Sequence, residues 1–206
     1  MKRICTGILT IFSLSTLAAF AQSGTTTTPT TSTPVTGQTI QERKNNQQER
    51  IGNGVENGSL TAGEAAKLEK KESNLNKEER DMREDDNGKL TGADKAKLTR
   101  QQNRLSKDIY QQKHDAQVQP KTSNEVNTRD RLQQERIGQG IKSGQLTAGE
   151  AANLEKKETK LNKEERTDRA ANGGTLTPGE KAKINRQQNG LSKQIYNKKH
   201  NAKKRG

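Results

Sequence analysis

Gly58-Ser59-Leu60-Thr61-Ala62-Gly63-Glu64 decides the fold, because it ends one helix and begins another. The same punctuation returns as Gly88-Lys89-Leu90-Thr91-Gly92-Ala93-Asp94, as Gly144-Gln145-Leu146-Thr147-Ala148-Gly149-Glu150, and as Gly174-Thr175-Leu176-Thr177-Pro178-Gly179-Glu180. Glycine takes positive φ at little cost, which suits the position just past a helix C-terminus. Three residues on, a threonine hydroxyl can accept a free N–H of the next helix, and an acid three residues later reaches back to the threonine N–H. The expected caps are therefore Thr61 with Glu64, Thr91 with Asp94, Thr147 with Glu150 and Thr177 with Glu180. Pro178 falls at the first helical position, where its missing N–H does no harm.

Working outward, Gln47–Ala116 aligns without a gap onto Gln133–Ala202 at a constant offset of 86, with about 45 of 70 positions identical, which marks a tandem duplication. A weaker repeat of 30 lies inside each copy, Leu60 to Leu90 and Leu146 to Leu176. Each copy reads as three helical segments. The first runs from about Ile40 to Glu56 and the second from Thr61 to about Asp85. The third follows Thr91, with Leu98, Leu105 and Ile109 on one face. Asn76-Lys77-Glu78-Glu79 and its counterpart at Asn162 resemble a capping box, which would break the middle segment and give four helices per copy. The fold class is all-α: two tandem copies of a three- to four-helix module joined by capping-box or EF-hand-like turns, with a disordered N-terminal tether.

The flanks follow from composition. Met1-Lys2-Arg3, the apolar run Ile4–Phe20 and Ala19-Phe20-Ala21 form a signal-peptide pattern over 1–21. A Thr/Ser/Pro-rich tether at 22–38 has no apolar periodicity. The remaining boundaries are helical repeat 1 at 39–116, a linker at 117–128, and helical repeat 2 with a basic tail at 129–206. The signal predicts export to the periplasm or the outside of the cell. Its removal takes Cys5, leaving no cysteine for disulfides, thiolate sites or nucleophilic catalysis. It also takes Lys2 and Arg3, so the net charge falls from +13 to +11 and the chain stays strongly basic.

That charge points to an anionic polymer or envelope component as partner, through a sequence-independent attraction. The candidate contacts are Lys107, Lys113, Lys193, Lys198, Lys199, Lys203, Lys204 and Arg205, on the third helices and the basic end. Tyr110 and Tyr196 are the aromatics left after signal removal, each four residues before a histidine, His114 or His200, and so able to stack on it. No serine or histidine stands in a nucleophile context, so the chain reads as non-enzymatic, with no cofactor required.

An EF-hand loop wants oxygen ligands at positions 1, 3, 5, 9 and 12 and a glycine at 6. With Gly88 at the glycine position, Asp85, Asn87, Thr91 and Asp94 fall on ligand positions, while Arg83 takes the first. These four residues are the candidate calcium ligands, and calcium binding is the first alternative function.

The 86-residue unit resembles a group of small uncharacterised exported bacterial helical-repeat proteins with Gly-x-Leu-Thr-x-x-Glu junctions and an Ile-Tyr-x-x-Lys-His ending. The resemblance implies export and a helical fold, and brings no catalytic residues. Leu60-Thr61-x-x-Glu64 and its kin are also distantly similar to the Leu-Thr-x-x-Gln motifs of Spy-like periplasmic chaperones, with Glu in place of Gln. That similarity implies a client-holding chaperone as a second alternative. The primary expectation is an exported helical binding or scaffold protein.

Overall fold

The computed structural model describes residues 37–118 and 124–205. The expected signal peptide and nearly all of the tether lie outside the described residues, as does the centre of the linker. Six helices follow in order: α1 (Ile40–Asn57), α2 (Ala62–Asp85), α3 (Gly92–Lys113), α4 (Glu125–Lys142), α5 (Ala148–Ala171) and α6 (Pro178–Lys199). The protein is all-helical, with no strand among the described residues. None of these helices is long and apolar enough to cross a membrane.

The junctions are built from hydroxyl–carboxylate reciprocity. Glu64 N–H donates to Thr61 Oγ1 at 3.4 Å, and Thr61 N–H donates to Glu64 Oε2 at 2.8 Å. The pairs at Thr91–Asp94, Thr147–Glu150 and Thr177–Glu180 close in the same way. Gly58, Gly88, Gly144 and Gly174 take φ between +70° and +92°, the left-handed conformation that lets the chain turn out of the preceding helix. A fifth box, Thr39 with Glu42, opens α1. Asn124 caps α4, so this helix starts at Glu125, inside the stretch expected to be linker.

The middle segment does not break. α2 and α5 are each continuous for 24 residues. The acids that would have capped a second start are otherwise engaged: Glu79 holds Lys44 and Arg83, and Glu165 holds Arg169. Each copy therefore contributes three helices.

The copies do not hang apart. α1 packs on α4 and α2 on α5, and these are the most extensive helix contacts in the molecule. The central apolar cluster consists of seven pairs related by the 86-residue offset: Ile51/Ile137, Val55/Ile141, Leu60/Leu146, Ala65/Ala151, Leu68/Leu154, Leu105/Leu191 and Ile109/Ile195. The apolar seam, too thin to serve either copy alone, is shared across a pseudo-twofold axis. Where α1 crosses α4, Gly52 meets Gly138 backbone to backbone. A Cβ placed on Gly138 would lie 2.8 Å from the Gly52 carbonyl oxygen, and one on Gly52 would lie 2.9 Å from the Gly138 carbonyl oxygen. Glycine is required there by the closeness of the approach.

Candidate functional site

Two kinds of chemistry stand out: basic faces on the outside and a file of carboxyl groups inside.

α3 and α6 bury one stripe each, Leu98, Gln102, Leu105 and Ile109 on α3 and Ile184, Gln188, Leu191 and Ile195 on α6. The opposite faces are left to solvent. Arg100, Arg104 and Lys107 on α3, and Arg186 and Lys193 on α6, are exposed, with no ion pair among the described residues. Beside each stripe an exposed tyrosine stacks on its histidine, Tyr110 on His114 at 4.2 Å and Tyr196 on His200 at 4.1 Å. Burial, then the neighbouring Arg50, holds the Lys113 ammonium below its usual range, and burial with Arg136 does the same to Lys199.

The sequence-derived basic contacts divide into two groups. Lys107, Lys193, Lys203 and Lys204 are exposed, whereas Lys113 and Lys199 are half-buried. Lys198 reaches Glu150 at 3.6 Å. Arg205 is turned inward: its N–H donates to the Gly144 carbonyl at 3.1 Å and its guanidinium to the Ile141 carbonyl at 3.0 Å. It closes the C-terminal end of α4 and is a structural cap more than a contact residue.

The candidate calcium residues lie at the α2–α3 junction. Asp94 is committed to Thr91, donor bonds from which hold its carboxyl below the usual range. Arg83 donates to Glu79 and to the Gly88 carbonyl, bringing a positive charge against the loop. No group of three or more acids or histidines among the described residues has the arrangement of a metal site.

Composition alone does not suggest the interior. Glu69, Glu72, Glu155 and Glu158 are buried where α2 and α5 pack. Gln48 donates to Glu69 at 3.1 and 3.2 Å, and Gln134 donates to Glu155 at 2.9 Å. Desolvation dominates their titration. It pushes Glu155 up to about 8 and Glu72 to about 7, and it holds Glu69 well above the usual carboxyl range.

Towards one end of this file the two halves differ. In the first, Lys44 is buried and its ammonium sits 2.9 Å from Glu79. The offset of 86 places Asp130 at the equivalent point of the second half. The equivalence holds in space: Gln102 donates to the Ile40 carbonyl as Gln188 does to that of Val126, and Arg43 meets Asn103 as Arg129 meets Asn189. Asp130 lies against Glu158, and burial raises both carboxyls, Glu158 further because Asp130 adds its charge. Asp130 also lines a cavity of about 420 Å³ with Asn162, Thr159 and Glu165 of α5 and the first turn of α2.

The signal that could have exposed this interior is spacing. Positions 65, 69, 72, 76 and 79 recur every three or four residues, the same stripe that carries Leu68 and Leu75 inward. Comparison with known protein families, with curated proteins and with solved structures finds no match to this chain.

Proposed function

We propose that this is an exported, non-enzymatic helical scaffold that holds anionic polymers of the cell envelope or its surroundings. The observation that carries the reading is the exposed cationic stripe on α3 and its counterpart on α6, each beside an exposed tyrosine. Unpaired Arg and Lys on a rigid helix attract sulfate, phosphate or carboxylate groups without demanding a sequence, and each contact releases a condensed counterion. The stacked Tyr–His pairs add a flat face for a sugar or base ring. Two such stripes on one body allow a single polymer strand, or two strands, to be held at once.

The test is retention on immobilised heparin under a salt gradient. The expected result is binding at low salt, with release at lower salt for a variant carrying Arg100→Gln, Arg104→Gln, Lys107→Gln and Lys193→Gln. Flow-through of the native protein at low salt would overturn the reading, as would an unchanged elution point for the variant. All four residues are exposed, so the variant should keep its helical circular dichroism.

A further inference from the structure

The two halves handle the same buried acids in opposite ways. In the first half, Glu72 and Glu79 face an internal ammonium, Lys44, whose charge draws Glu72 down against its desolvation and whose hydrogen bond helps hold Glu79 below the usual range. In the second half, Glu158 and Glu165 occupy the equivalent places, but the cation has been replaced by a further acid, Asp130. Arg169 satisfies Glu165 at 2.8 Å. Nothing comparable reaches Glu158. Its side chain is fully buried, and neither oxygen receives a bond from an amide, guanidinium or ammonium group. Asp130 Oδ1 is likewise without a donor. Where the first half has a lysine stem and its charge, the second has two adjacent acids beside a cavity of about 420 Å³.

A buried carboxyl pair without a donor costs stability unless something supplies positive charge. The first half shows which group suits this geometry: a primary ammonium on a flexible aliphatic stem. We propose that the cavity between α2, α4 and α5 is a binding site for a primary alkylammonium group, which seats against Asp130 and Glu158 as Lys44 seats in the other half. Asn162 stands beside Asp130 as a neutral hydrogen-bonding partner, and Thr159 offers a hydroxyl on the next turn of α5. Ala62, Gly63 and Val118 give a stem an apolar surface. Arg166 and the first turn of α2 also line the cavity and bring positive potential to it. That selects for a singly charged cation and against a polyamine. A free monoamine and the side chain of a peptidyl lysine share this chemistry.

The site is testable with n-butylammonium chloride as probe, titrated calorimetrically into the full-length protein against tetramethylammonium chloride at equal ionic strength. A second arm uses N-acetyl-lysine amide; binding of butylammonium alone assigns the site to free amines, and binding of both extends it to lysine side chains. The expected result is saturable binding of n-butylammonium and none of tetramethylammonium, which has no N–H to donate. Asp130→Lys supplies the ammonium internally and should abolish binding. Asp130→Asn preserves shape while removing the charge and should weaken it by about tenfold or more. Lys44→Asp, the reciprocal change, should create a second site of the same preference. The proposal is overturned if the native protein shows no saturable heat up to about 0.1 M probe. It is equally overturned if Asp130→Asn, folded by circular dichroism, binds as the native protein does.

Discussion

At the scale of single residues, one hydroxyl and one carboxylate do the work of starting a helix. Thr61 satisfies a backbone donor that α2 leaves open, and Glu64 satisfies the donor of Thr61. Replacing Thr61 by Ala removes the acceptor while keeping the turn, and should lower the unfolding free energy by ~1 kcal/mol in urea titration. An unchanged midpoint would contradict the cap. These junctions were legible in the sequence because capping is local: the partners lie three residues apart, and spacing alone brings them together. The fate of Glu69 and Glu155 was less legible, since a glutamate on a helix surface and one beneath another helix have the same neighbours in sequence. Only α5 laid on α2 removes the water. Asp130 poses the same difficulty, its meaning coming from Glu158, 28 positions away on another helix.

At the scale of the element, the crossing of α1 with α4 depends on what is missing from two side chains. Gly138→Ala improves helix propensity by about 1 kcal/mol in an isolated helix. Here the new methyl would sit 2.8 Å from the Gly52 carbonyl oxygen and 3.2 Å from the Glu56 nitrogen, both backbone atoms that cannot swing aside. The substitution should therefore destabilise, by about 1–3 kcal/mol, as overpacked sites do. Thermal melting of Gly138→Ala beside Gly179→Ala separates the effects, since nothing lies within 4 Å of a Cβ at Gly179. A destabilised Gly138 variant with a near-neutral Gly179 variant is expected, and equal behaviour would refute the close crossing. The sequence showed three helices per copy and their apolar faces, but it held no sign of which copy each face met. Duplicated stripes satisfy a copy-on-copy arrangement and a beaded one equally well until they are placed in space.

At the scale of the whole molecule, the buried acids set the response to pH. Glu155, raised to about 8, and Glu72, raised to about 7, keep protons in the folded state that the unfolded chain releases above about 4.5. Stability therefore falls as pH rises from about 4.5 to 8, by on the order of a few kcal/mol once both groups are ionised. Asp94 and Glu180 act with the opposite sign: bonds from their threonines hold them below the usual range, so their contribution is lost on strong acidification. The melting temperature should peak in mildly acidic buffer and decline towards pH 8.5. Glu155→Gln, which keeps the shape and gives up the titration, should flatten that decline. A melting temperature that climbs steadily from pH 5 to 8.5 would show that these acids are hydrated in solution.

The join between the two copies has one further consequence. A pair of identical subunits meeting about a dyad must present the same residue on both sides, so any charge at Lys44 would be answered by its twin. Covalent fusion lifts that obligation, and the equivalent positions here carry opposite signs. The chain gains a polarity that no symmetric assembly of its half could possess: one end neutralises its own interior, and the other leaves that task to a visitor.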